Sequence, residues 1–185
     1  MNLKTMEGKE NIESKSLLYP EISKEILAMA KVDQETQMTK ESDEQKADRL
    51  KEVYKTNTER MKHIVKQIGW PTVSKVGSEA SDDAWLLVQH ADHDVAFQKE
   101  CLDLMKKESQ EEVSEEDIAY LHDRICVNEG RPQFYGTQFT TNEYGAYGPE
   151  PIENIELVDE RRAEIGLKPL AEYKDELVKK YNLKG

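Results

Sequence analysis

Residues 50 to 71, LKEVYKTNTERMKHIVKQIGWP, decide the fold class. Leu50, Tyr54, Asn57, Met61, Ile64 and Ile68 recur at alternating steps of three and four, which sets them along one face of an α-helix; a strand would throw them onto both faces. Gly69, Trp70 and Pro71 end the run, since glycine accepts the left-handed backbone of a helix C-terminus and proline disfavours helix in the residue before it. Asn57 stands in the middle of the apolar line, so a polar group faces the expected interior.

Toward the N-terminus, residues 40 to 48 (KESDEQKAD) read as a charged break or a solvated helix start. Before it, Pro20 suits a first helical turn, Ile22, Ile26 and Met29 recur at helical spacing, and Asp33 continues their stripe. Residues 1 to 17 are polar and aperiodic, too poor in apolar groups to offset the entropy of ordering, and are expected to form a flexible tail. Residues 18 to 185 are expected to fold as one helical domain.

Toward the C-terminus, Gly77 closes the loop after Pro71, and Ala84 to Val88 (AWLLV) form a short apolar helix. It runs into Gln89-His90-Ala91-Asp92-His93-Asp94, where Asp94 can cap a helix reaching about Lys107, with Gln98, Cys101, Leu102 and Met105 on one side. The acidic stretch 108 to 117 reads as a solvated linker, within which Ser114 and Asp117 resemble a capping box for a helix carrying Ile118, Leu121 and Ile125. A second stripe on that helix, Tyr120, Asp123, Arg124 and Val127, stops at Gly130 and Pro132. Residues 133 to 140 (QFYGTQFT) change to aromatics and threonine, and with a turn at Asn142 to Gly145 they read as a small hairpin or ordered loop. From about Leu157 to Asn182, two short helices separated by Gly166 and Pro169 form a strap, with Leu170, Tyr173, Leu177 and Tyr181 as packing residues. The expected architecture is a mainly α single-domain bundle with the hairpin after its fifth helix.

Composition narrows the function. The 185 residues are 37% hydrophobic and 35% charged with a net charge of -12, which argues against nucleic acid and anionic membranes, because phosphate binding needs clustered Lys and Arg. No stretch approaches the roughly 20 apolar residues of a membrane span, and the N-terminus lacks the apolar core of a secretory signal, so a cytoplasmic location is expected. Cys101 and Cys126 form no CxxC pair and are expected to be buried free thiols. No internal repeat, G-x-S-x-G elbow or H-E-x-x-H pair is present.

The runs WPTVSKVG (70 to 77), AWLLVQHAD (84 to 92), Y-L-x-D-R (120 to 124) and QFYGTQ (133 to 138), with DERRAEIGLKPLAEY (159 to 173), resemble a bacterial family of domains of unknown function, family 6624. The similarity spans roughly Ile22 to Tyr173 and implies no activity. Val95 stands where similar sequences often carry proline, a position in the first helical turn that valine also accepts.

Polar groups at expected interior positions must meet one another, water or a ligand, since an unpartnered buried group costs about 1 to 3 kcal/mol. Asp33, Asn57, the 89 to 98 junction and the Tyr120 to Gln138 region supply them. In the functional reading His90 is a general acid or base, Asp92 or Asp123 orients its imidazole, and Arg124 binds a carboxylate or phosphate. Asp33, Asn57, Gln89, Gln98, Tyr120, Gln133, Tyr135, Thr137 and Gln138 then complete a pocket for a small polar molecule or peptide. In the structural reading Arg124 pairs with Asp33 or Asp123 and His90 bonds a carbonyl. No cofactor is favoured; a divalent metal on His90 and His93, completed by Asp94 and Glu129, is the sharper alternative, though an Asp94 cap would turn the two imidazoles apart. Two functions compete: a hydrolase-like acid-base catalyst around His90, and a non-catalytic binding, sequestering or immunity-like protein of a bacterial or phage system.

Overall fold

The computed structural model describes residues 17 to 40 and 42 to 181. Nearly all of the expected N-terminal tail lies outside the described residues. In chain order the elements are α1 (Pro20–Gln37), α2 (Asp43–Ile68), α3 (Val73–Val76), α4 (Ser78–Gln89), α5 (Val95–Met105), α6 (Glu115–Asn128), β1 (Phe139–Thr141), β2 (Tyr147–Pro149), a 3-10 turn at Ile155–Leu157, α7 (Val158–Glu164) and α8 (Leu170–Tyr181). The chain is mainly α, with one small antiparallel hairpin of β1 and β2. No helix among the described residues is long and apolar enough to cross a membrane.

Helices α1, α2 and α4 pack against one another, and α5 and α6 pack together beneath α4. The core between them holds Ile22, Ile26, Met61, Ile64, Trp70, Leu87, Val88, Cys101, Met105 and Leu121. Both cysteines are free and buried.

From Ser42 onward the charged stretch before Leu50 takes the second of the two readings the sequence allowed, a solvated helix start, and three other places depart from expectation. Helix α2 begins at Asp43, well before the apolar line at Leu50. Ser42 caps it by accepting from the Gln45 backbone N–H, and Asp43 and Glu44 complement the positive helix end, so these turns form without burying anything. Residues 73 to 76 make a single turn, α3, whose Ser74 N–H is capped by the Glu112 carboxylate at 2.8 Å. The acidic segment expected to be a solvated linker is therefore folded down: Glu112 caps α3 and Val113 is buried in the core. At the far end Tyr181, expected to pack, is 56% exposed.

Asp94 caps α5 by accepting from the Phe97 N–H, and Ser114 caps α6 by accepting from Glu116 and Asp117. The capped start of α5 fixes a tight turn at residues 90 to 94, closed by Ala91 N to Val88 O at 3.1 Å and Asp94 N to Ala91 O at 2.8 Å. That turn carries the candidate site.

Candidate functional site

His90 is the first residue beyond α4, and its Nδ1 lies 2.9 Å from Oδ2 of Asp33 on α1. Asp33 is fully buried, and its other oxygen accepts from the Gln37 side-chain amide at 3.0 Å and that of Gln34 at 3.2 Å. With Nδ1 turned inward, Nε2 is the ring nitrogen left for a ligand. The Tyr54 ring of α2 lies on the imidazole, centroids 4.8 Å apart and planes tilted by 35°. Burial pushes the Tyr54 hydroxyl above its ordinary pKa, Asp33 and Asp92 add to the shift, and Arg124 partly offsets it, so Tyr54 stays a neutral donor at physiological pH.

His90 opens onto a shallow concavity of about 360 Å³. Ala47, Leu50, Lys51 and Tyr54 of α2 form one wall, and His90, Asp92 and His93 of the turn form the other. The α2 residues share a face because they follow one another at helical spacing.

Asp92 ties this concavity to α6. Its carboxylate accepts from Nε of Arg124 at 2.7 Å, from a terminal nitrogen of the same guanidinium, from Asn128 at 2.7 Å and from Gln98 at 3.3 Å. Burial acts to raise the Asp92 pKa, but the Arg124 pair and the amide donors of Asn128 and Gln98 outweigh it and hold the carboxyl below its usual range. The remaining guanidinium nitrogen of Arg124 donates to the side-chain Oε1 of Gln138 at 3.5 Å.

Asp123 organises the loop after α6 and makes no hydrogen bond to His90. Its buried carboxylate accepts from the backbone N–H groups of Phe134 (2.8 Å), Tyr135 (3.1 Å) and Thr137 (3.0 Å) and from the Thr137 hydroxyl at 3.1 Å. His122 approaches the same carboxylate at 3.3 Å. Buried Arg162 holds the loop carbonyls, donating to Tyr135 O at 2.8 Å and Gly136 O at 3.4 Å, and ties them to the α7–α8 connection by donating to Lys168 O at 2.6 Å. Gln133 completes the clamp by donating to the carbonyls of Gln138 and Glu150, both at 2.9 Å, and accepting from the Gln138 N–H at 2.8 Å.

The pairings thus differ from both sequence readings. Asp33, not Asp92 or Asp123, orients His90, and Arg124 pairs with Asp92 rather than with Asp33 or Asp123. Gln98 is spent on the Val88 and Gln89 carbonyls besides Asp92. Tyr120 packs edge-on against Trp85 and Tyr173, and the Tyr135 ring packs against His122 and Phe134. Thr137 and Gln133 serve the loop. Asn57 and Gln89 are buried with side-chain nitrogens that meet no hydrogen-bond partner among the described residues. The metal alternative finds its ligands spent elsewhere: Asp94 caps α5 and pairs with Lys62, and Glu129 pairs with Lys99 and Arg131. Among the described residues no group of three His, Cys, Asp or Glu side chains converges to hold a metal.

Sequence reasoning missed Tyr54, Lys51 and Asn128 as members of this region. Tyr54 was legible as a phenol on the apolar line one turn before Asn57; nothing in the sequence singled out the exposed Lys51 or the helix-end Asn128. Both thiols are poor nucleophiles, because burial pushes the pKa of Cys101 and of Cys126 upward.

Fold and site define a mainly α protein in which α2 and the turn after α4 line a concavity, with Asp33 of α1 and Arg124 of α6 bonded to its His90 and Asp92. Residues 20 to 185 match the family of unknown function DUF6624, and the chain belongs to that family. No curated protein and no solved structure matches it.

Proposed function

We propose that the protein is a hydrolase-like acid-base catalyst acting on a small polar or peptidic substrate in the concavity around His90. The observation that carries this reading is the bond from His90 Nδ1 to the fully buried Asp33, which fixes the ring and leaves Nε2 beside open space. An imidazole oriented by a buried carboxylate can accept a proton at its other nitrogen and hold the resulting charge.

Water is the nucleophile in this scheme, since both thiols are buried and held protonated. His90 Nε2 takes a proton from the water as its oxygen bonds to the substrate's carbonyl or equivalent centre. The imidazolium, stabilised by Asp33, then returns that proton to the leaving group as its bond breaks. Arg124, locked by Asp92, contributes a fixed positive charge near Tyr54, and Gln138 steadies its outer edge. The strongly acidic chain and its two free thiols fit a cytoplasmic setting in a bacterial or phage system.

The breadth of the concavity favours a second reading, a non-catalytic binding, sequestering or immunity-like protein whose partner inserts a side chain beside Tyr54. Turnover separates the two. Purified protein and a His90→Gln variant are assayed on a panel of small esters, amides, phosphoesters and short peptides. Hydrolysis by the parent that is lost in a folded variant supports the catalyst. Equal hydrolysis by both, or none with a stoichiometric protein complex instead, ends it.

A further inference from the structure

We infer that the concavity receives its ligand through an oxyanion, a carboxylate or phosphate group, taken up by Lys51, Tyr54 and His93 beside His90; this rests on the proposed acid-base reading of His90 and names the ligand chemistry for the same site. Although the whole chain carries a net charge of -12, the local inventory of free groups at this place is reversed.

Both carboxylates at the concavity are committed. Asp33 is buried and accepts from His90, Gln34 and Gln37. Asp92 accepts from two nitrogens of Arg124, from Asn128 and from Gln98. An arriving cation or donor group would find Lys51 and two imidazoles but little acceptor capacity.

Apart from Nε2 of His90, the uncommitted lining groups are donors. Lys51 Nζ makes no hydrogen bond or ion pair with any described residue, in contrast to Lys62 and Lys99, which pair with carboxylates. The Tyr54 hydroxyl likewise has no hydrogen-bond partner among the described residues, and its raised pKa keeps the proton in place. His93 stands exposed in the turn and carries a ring N–H, whereas the N–H of His90 is already given to Asp33. Ala47 and Leu50 add an apolar wall on the α2 side, which suits a short carbon skeleton behind the charged group. An ammonium and a phenol on one helix face, opposite the His93 imidazole on the turn, form a charge-assisted cradle for oxygen acceptors.

The test titrates inorganic phosphate and, separately, acetate into the full chain, reading the ring carbon-proton NMR signals of His90 and His93, with chloride at matched ionic strength as the control. Saturable shifts of both rings with one of the two anions are expected, and which anion binds identifies the group as phosphate or carboxylate. Lys51→Ala should weaken that binding about tenfold and Lys51→Glu abolish it, and, Lys51 being exposed, neither should alter the thermal midpoint. No saturable shift with either anion, shifts equalled by chloride, or undiminished binding by both Lys51 variants would overturn the inference. The acid-base reading fails separately: hydrolysis that depends on His90 without anion binding removes only the cradle, whereas anion binding with hydrolysis indifferent to His90→Gln removes only the catalyst.

Discussion

The imidazole of His90 and the carboxylate of Asp33 meet at 2.9 Å across the seam between α4 and α1, joining residues 57 positions apart. Asp33 has no exposure, so this contact belongs to the interior at one end and to the concavity at the other.

That asymmetry separates folding from chemistry. Asp33→Ala removes the acceptor of three side chains and should cost about 3 kcal/mol in urea denaturation. His90→Gln, at a 17% exposed side chain, should cost about 1 kcal/mol or less and lower any hydrolytic rate by roughly 10² to 10⁴-fold. A His90→Gln variant as unstable as Asp33→Ala would make the contact structural.

Asp123 should govern acid stability and loop order together. Burial opposes its ionisation, yet His122 and the N–H groups of Phe134, Tyr135 and Thr137 hold its pKa below the ordinary value. A depressed carboxylate contributes stability that is complete above the unfolded value of about 4 and is lost as pH falls through the lower folded value. Asp123→Asn should flatten this acid limb, and hydrogen exchange at Phe134, Tyr135 and Thr137 should accelerate at neutral pH. Unchanged exchange at those three amides would contradict the clamp.

Asp117 should act with the opposite sign. Burial first, then Asp82 and Glu116, raise its pKa to about 7. The folded state therefore holds a proton that the unfolded state releases near pH 4, and stability declines between pH 4 and 7 by at most about 1.4 kcal/mol per unit from this group. Asp117→Asn should stabilise the protein at pH 8 and give no such gain at pH 4, as read from urea midpoints at the two pH values.

Gly136 leaves no room for a side chain. Its φ is +69°, and a Cβ there would lie 2.9 Å from the terminal carbons of both Ile152 and Leu170. Gly136→Ala should destabilise by about 1 to 3 kcal/mol from backbone strain alone and loosen the packing of α8 on the loop, measurable as a lowered thermal midpoint. An unchanged midpoint would contradict both the strain at φ +69° and the close contact.

The mainly α fold was legible because its signals are local: the spacing from Leu50 to Ile68, the Asp94 and Ser114 caps, and the turn residues of the hairpin. The start of α2 could be read only as one of two alternatives, a charged break or a solvated helix start, because its first turns are held by Ser42 and helix propensity and carry no apolar stripe. The site was legible as a set of residue types and not as a set of partners. His90, Asp92 and Arg124 stood out as polar groups near apolar runs, but the choice between Asp33 and Asp92 as the partner of His90 depends on how α1 crosses α4, and sequence spacing carries no such information.

The loop from Gln133 to Gln138 is gripped by its peptide groups: Asp123 takes the amides and Arg162 the carbonyls. The identity of Phe134 or Tyr135 contributes nothing to those bonds. Their rings lie instead against His122 and, for Phe134, under the Arg161 guanidinium, so a substitution at either position repaints that small surface while the ribbon beneath keeps its course.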